Sequence, residues 1–364
     1  MSTPDSYTEL AKRHGYSESI RYRHILEFLM TPPQADLVVL LPEKPEVLAA
    51  KLNLPLDKVI SELEALFLKG VVFPKNFQTR ENPRFARSVG QFHDATQSIL
   101  NLEEKIYNSE DRKELYRLWE DFCENEWYHN QVKRFNGLER PPTRVIPAYA
   151  SIKDLPDIQP YEDMREIIKA QKVKTVNSCS CRKRRNTLGL TCEHSHDVNC
   201  LQFNRGAEYA LVRGTGRELT DEEAMKLVDE IEQDGLVHNW RNDRGMTGMT
   251  VMCNCCIDCC MIWHPVDTHQ SDIGKMWEKS RFQAEVNQDL CNGCQTCVER
   301  CMFDAIEMTK VSGSKKLKST VDPEKCFGCG VCVLKCEQQA LKMKTVRPPE
   351  HIPEAAAGNA PVLG

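Results

Sequence analysis

The chain has 364 residues, 48 of them basic and 53 acidic, for a net charge of −5; that length allows two or three domains with a buried core. The near balance excludes a strongly basic nucleic-acid surface, and no apolar run approaches the roughly 20 residues that cross a bilayer. The outlier is 18 cysteines: the opening MSTPDSYTELAKRHGYSES lacks a signal-peptide core, which places the chain in the cytoplasm, where thiols stay reduced and bind metal.

Residues 1–18 read as a flexible arm, and residues 19–88 as three helices followed by a hairpin-like stretch. The first helix covers Arg21–Met30, with Ile25, Leu26 and Leu29 on one face. The second, Glu46–Leu52, leads through Asn53-Leu54-Pro55 into the third, Leu56–Lys69. Val59, Ile60, Leu63, Leu66 and Phe67 stripe that helix, and Gly70 ends it before an extended segment at Val71–Phe73. The order resembles a winged helix-turn-helix domain, which implies either DNA reading by the third helix or docking and dimerisation. Asp57, Glu62 and Glu64 beside only Lys58 and Lys69 make a poor phosphate surface. Nucleic acid is therefore not an expected partner, whereas self-association through this unit is.

Residues 89–284 are expected to form a helical, cysteine-rich central domain. Its lead-in is strongest in EDRKELYRLWEDFCENEWYHN, where Cys123 reads as a buried small hydrophobe, and RPPTRVIPAY (140–149) reads as a connector. Thr220 and Glu223 form a capping box for a helix with Ala224, Leu227, Val228 and Ile231 on one face and Gly235 at its end. Nine cysteines lie in this domain: Cys179 and Cys181 in SCSCRKRR, then Cys192, Cys200, and Cys253, Cys255, Cys256, Cys259 and Cys260 in CNCCIDCC. Cys253, Cys256 and Cys259 have the C-x2-C-x2-C spacing that wraps a cubane, with a remote fourth ligand among Cys179, Cys181, Cys192 and Cys200. Nine thiols suffice for one or two further [4Fe–4S] clusters. Zinc completed by His194, His196, His238, His264 or His269 is an alternative, and so is dithiol redox chemistry. Arg182, which opens a basic run beside Cys181, and His238 in GLVH are candidate cofactor-binding residues.

Residues 285–346 carry a duplication. VNQDLCNGCQTCVERCMFDAIEM (286–308) aligns without gaps to VDPEKCFGCGVCVLKCEQQALKM (321–343) at a period of 35, each copy with C-x2-C-x2-C-x3-C. The segment resembles bacterial two-[4Fe–4S] ferredoxins, in which the fourth cysteine of each run serves the other cluster. The resemblance implies one cluster on Cys291, Cys294, Cys297 and Cys336, and a second on Cys326, Cys329, Cys332 and Cys301. The family's proline after the fourth cysteine is replaced by Met302 and Glu337. KVSGSKKLKST between the copies reads as a flexible basic loop, and residues 347–364 as a disordered tail.

With its C-x-C-R and C-N-C-C segments the chain is also similar to an uncharacterised group of anaerobic ferredoxin-domain proteins. The expected architecture is α+β and multidomain. The expected function is iron–sulfur electron transfer, as a relay subunit or adaptor of an anaerobic oxidoreductase system. The partner would be a larger oxidoreductase or a flavoprotein. Two alternatives stand beside it: a self-contained reductase with its site among the central cysteines, which predicts an open iron site or a buried pocket beside Cys253–Cys260, and a redox-responsive winged-helix regulator.

Overall fold

Three packed units follow one another in the computed structural model, which describes residues 5–98, 106–190, 192, 194, 199–261 and 263–355. The first is helical: Ser6–Arg13, Ile20–Leu29, Pro32–Val39, Pro45–Leu52 and Leu56–Leu68. A short antiparallel contact then joins Val72 to Phe85, with Phe73 and Arg84 exchanging backbone hydrogen bonds at 2.8 and 3.2 Å. The expected arm is instead ordered from Asp5, which accepts from the Thr8 amide and caps the first helix. Tyr7, Leu10 and Ala11 are buried in the same core as Ile25, Leu29 and Leu66, which is why the segment does not float free. Pro32–Val39 is a further helix whose start, Thr31 with Gln34, is a capping box.

Helices Val89–Gln97, Ser109–Phe122 and Tyr128–Asn136 follow, the last two joined by a π turn at Cys123–Trp127. Helices make up more of the central domain than strands, and beside them stands a sheet that the helical expectation leaves out. This sheet has seven strands in the order β4-β2-β3-β6-β5-β1-β7. The strands are β1 (Thr143–Ile146), β2 (Lys174–Asn177), β3 (Cys200–Phe203), β4 (Arg217–Glu218), β5 (Val237–Arg241), β6 (Val251–Cys255) and β7 (Trp277–Glu278). The supposed connector at 140–149 thus supplies a fully buried strand, β1, paired to β5 and β7.

Side chains alternate across this sheet. Val176, Leu201, Phe203, Trp240 and Met252 face helices Met164–Lys169 and Asp221–Asp234, forming one core with Ile167, Ile168, Val228 and Ile231. The predicted capping box of Thr220 and Glu223 starts the second of these helices, and Gly235 ends it. Asn177, Cys200, Gln202, Cys253 and Cys255 fall on the opposite face, with Cys200 directly across from Cys253. The cysteines of the strands therefore look away from the helices.

The C-terminal unit pairs β8 (Phe282–Val286) with β11 (Leu341–Thr345) and β9 (Ile306–Lys310) with β10 (Leu317–Val321). Most of the basic insertion is this second hairpin rather than a loose loop, because Lys310 and Leu317 pair across its turn. Residues 347–355 are ordered as well: Ile352 is buried, and Arg244 donates to the Ile352 and Pro349 carbonyls at 3.0 and 3.1 Å. Residues 1–4, 356–364 and His196 lie outside the described residues.

Candidate functional site

A cavity of about 700 Å³ opens between the N-terminal helices and the cysteine face of the sheet. Its floor carries Cys179, Cys181, Cys200, Cys253, Cys255, Cys256, Cys259 and Cys260. Its other walls include Phe73, Phe77, Tyr209, Asp94 and six arginines, at 84, 87, 134, 182, 205 and 213. One carboxylate against six guanidinium groups makes the interior strongly cationic. Tyr209 stacks on Phe73 at 4.8 Å and meets Phe77 at 5.2 Å, so the extended segment after the third helix packs onto the central domain. Arg84 Nη1, Asn177 Nδ2 and the Tyr209 hydroxyl, all buried on the wall, have no hydrogen-bond partner among the described residues. Such orphans mark a surface shaped for something polar.

Five of the central thiols fall into two groups. Cys192, Cys256 and Cys259 lie together, at 3.8 Å (192–256), 3.6 Å (192–259) and 2.9 Å (256–259), with Asp258 Oδ1 3.6 Å from Cys192 Sγ. Cys255 and Cys260 form the second, at 3.2 Å, with Asn239 Nδ2 3.5 Å from Cys255 Sγ. Cys253 interacts with Cys255, Cys260 and Cys179. Of the three cysteines with the C-x2-C-x2-C spacing, Cys256 and Cys259 meet Cys192, and Cys253 meets Cys255 and Cys260. Strand β6 ends at Cys255, so Cys253 points with the sheet's cysteine face while Cys256 and Cys259 turn with the loop. Hydrogen bonds from Cys256 and Cys259 bring Cys192 down to about 4, and a bond from Cys181 brings Cys179 down to about 7. Cys181, Cys200, Cys253, Cys255 and Cys259 are raised instead, by burial and by the neighbouring thiols, so thiolate charge concentrates on Cys179 and Cys192.

The basic run divides sharply. Arg182 is fully buried, with Nη2 3.4 Å from Cys256 Sγ. Burial opposes its charge, and the facing Cys179, Cys256 and Cys259 outweigh that, so its pKa rises. Arg184 and Arg185 serve the helical lead-in instead. Arg184 donates to Glu120 at 2.7 Å and to the Tyr128 hydroxyl at 2.9 Å, and Arg185 to Glu120 at 2.8 Å. Cys123 is buried beside Arg184 at 3.7 Å, and burial raises its thiol to about 12.

His238 does not border the cavity. It lies on the helix-covered face with Nδ1 2.6 Å from Asn254 Oδ1 and Nε2 3.4 Å from Glu232. The other described histidines also have partners away from the thiols: His194 with Asp234 at 2.7 Å, His264 with Glu124 at 2.8 Å and His269 with the Glu124 carbonyl at 3.1 Å. None of them joins a cysteine group.

The C-terminal unit is docked on the sheet through its second cysteine loop. Ala148 N–H donates to the Cys329 carbonyl at 2.8 Å, and Ser280 Oγ donates to the Gly328 carbonyl at 2.8 Å. Gly330 has φ +75°, and a Cβ there would run into Ser151. Arg300 forks from Val331 O (3.1 Å) to Glu232 O (3.0 Å) and Gln233 O (3.2 Å), tying the unit to the end of helix Asp221–Asp234. Phe327, Cys329 and Val331 share one apolar cluster with Cys255, Cys260, Trp263 and Trp277. Within the unit the Cys301 thiol interacts with Cys326, Cys329 and Cys332, and Cys297 with Cys294 and Cys291.

Residues 290–340 match the family model of the 4Fe-4S dicluster domain. The chain thus carries a ferredoxin-like iron–sulfur module that binds [4Fe–4S] clusters and supports electron transfer. No curated protein and no solved structure matches the chain. No helix among the described residues is long and apolar enough to cross a membrane. Around the dicluster domain, sequence reasoning missed Asp258, Arg300, Arg84 and Tyr209. Only Asp258 had a signal, its place inside the cysteine block.

Proposed function

We propose that the protein is a self-contained iron–sulfur reductase that takes electrons at its dicluster domain and spends them on a small anionic acceptor in the cavity. The observation that carries this reading is the cavity itself, which lies beside Cys253–Cys260 and is lined by arginines. Cys255 and Cys260 share an apolar cluster with Cys329 of the docked module, and that continuity supports an internal route. Clusters held by Cys291, Cys294, Cys297 and Cys336 and by Cys326, Cys329, Cys332 and Cys301 would supply one-electron storage. Cys181, Cys255 and Cys260, which are buried, and Cys179, Cys200 and Cys253, which are half-buried, make an all-sulfur donor set rich enough for a further cluster.

The protein's own residues have separable tasks. Arg84, Asn177 and Tyr209 present unpartnered polar atoms to an acceptor. Phe73, Phe77 and Tyr209 offer it an aromatic wall. Arg182 offsets thiolate charge at the floor. In this reading residues 19–88 are a winged-helix-like unit used as a lid and wall. Its Arg80 is engaged by Glu64 at 2.7 Å and lies over Phe67, which argues against use on DNA phosphate. A relay role toward a partner oxidoreductase or flavoprotein is the second reading, favoured by the exposure of Cys294 on the module's outer loop.

The test is stopped-flow reoxidation of the reduced full chain by paired anionic and neutral acceptors, with Arg87→Glu at the exposed wall of the cavity. The proposal expects anionic acceptors to react faster and the variant to slow them at least tenfold. Equal rates in wild type and variant would assign reoxidation to the exposed dicluster loops and leave the relay reading.

A further inference from the structure

We propose that Cys192, Cys256, Asp258 and Cys259 bind one tetrahedral divalent transition-metal ion, zinc or ferrous iron, separate from every iron–sulfur cluster. Their four ligand atoms lie within 4.8 Å of one another. Metal–sulfur bonds of about 2.3 Å at tetrahedral angles set ligand sulfurs about 3.8 Å apart. Cys192 meets that spacing with both partners, at 3.8 and 3.6 Å. The Cys256–Cys259 pair, at 2.9 Å, needs to open by only about 1 Å to reach it. A cubane imposes a different spacing. Each of its ligand sulfurs projects outward from its own iron corner, so sulfurs on different corners stand well beyond contact. All three pairs would have to part widely.

Chemistry and topology agree with the distances. Three soft sulfurs and one carboxylate oxygen select zinc or ferrous iron over magnesium or calcium. Cys256, Asp258 and Cys259 come from one turn after β6, and Cys192 closes the site from a remote segment, the usual division in a closed structural site. Three thiolates and a carboxylate around a divalent ion leave an excess negative charge, and the buried Arg182 guanidinium at 3.4 Å from Cys256 offsets part of it. The ion would pin the loop that forms the cavity floor, since Cys256 and Cys259 line it. It leaves the other six central thiols for redox chemistry, so this inference stands or falls independently of the proposed reductase activity.

Iron, zinc and acid-labile sulfide are measured on the full chain purified anaerobically, with X-ray absorption at the zinc and iron K-edges. Clusters of the cubane type carry one sulfide per iron, and a mononuclear ion carries none. The expected result is one zinc per chain, or one iron in excess of sulfide, with a first shell of three sulfurs and one oxygen. Asp258→Cys should keep the ion with a four-sulfur shell, and Cys256→Ser should lose that ion alone. Iron equal to sulfide with no other metal in the wild type would overturn the site. So would loss of four irons and four sulfides together on Cys256→Ser.

Discussion

Arg300→Ala probes how firmly the dicluster domain is seated on the sheet. The side chain makes three hydrogen bonds to backbone carbonyls, one within the module and two at the end of helix Asp221–Asp234. A hydrogen bond is worth a net of roughly 0.5–1.5 kcal/mol, more when the donor is charged. Arg300 is half-buried, and water can re-satisfy Gln233 O, so the loss of docking free energy should be about 2 kcal/mol rather than the full sum. At 1.36 kcal/mol per decade that is about a 30-fold shift toward the undocked state. The reporter is the Ala148 amide, which donates to the Cys329 carbonyl of the module at 2.8 Å. Hydrogen exchange at Ala148 should quicken about 30-fold while iron and sulfide content stay unchanged. Arg300→Lys should restore little, because an ammonium cannot fork across three carbonyls. Unchanged exchange at Ala148 in the alanine variant would refute the docking argument.

Three further outcomes follow from buried groups. Glu120→Ala leaves Arg184 buried without its 2.7 Å carboxylate; urea unfolding should show a loss of about 3–5 kcal/mol, and Glu120→Asp should recover part of it. Cys123→Ala should cost about 1 kcal/mol for the small cavity it leaves, with metal content identical to wild type, because its thiol packs on Arg184 at 3.7 Å; any loss of iron would reassign it as a ligand. His14 is held at about 4 by burial, its ring stacked on Phe85 at 4.7 Å with Nε2 2.9 Å from the Ala86 carbonyl. Its folded pKa lies below the unfolded value near 6.5. The unfolded chain therefore binds the extra proton, and stability is complete above about pH 6.5 and lost as pH falls toward 4. The expected loss between pH 7 and pH 5 is about 2 kcal/mol. His14→Gln should flatten that part of the curve, and an unchanged slope would exclude His14 as its source.

The dicluster domain was legible because its information is local: a repeated spacing of cysteines with glycines, independent of the rest of the fold. The amphipathic helices were legible for the same reason, and Leu56–Leu68 and Asp221–Asp234 start where their stripes and caps place them. The central sheet was not. Its strands are two to five residues long and bury polar side chains: all of Lys174–Asn177 and Val237–Arg241 are enclosed, so no alternation of apolar and polar residues signals them. The division of CNCCIDCC was hidden too, because it depends on where β6 stops. The cavity arises from the apposition of Tyr209 with Phe73 and Phe77, residues more than 130 positions apart. Arg182 and Arg184 look alike in the sequence; one faces thiols and the other carboxylates because they lie two residues apart on one helix and project from different faces.

The most direct test of the central claim, that reducing equivalents pass beyond the dicluster domain to the cavity floor, is a controlled-potential reductive titration of the anaerobic full chain. Electron uptake is counted and the paramagnetic species are followed by electron paramagnetic resonance. The dicluster domain accounts for two electrons, one per cluster. At least one more electron is expected, with a signal that disappears in Cys255→Ser while the two dicluster signals remain. Uptake that stops at two, with the Cys255→Ser spectrum identical to wild type, would contradict the claim.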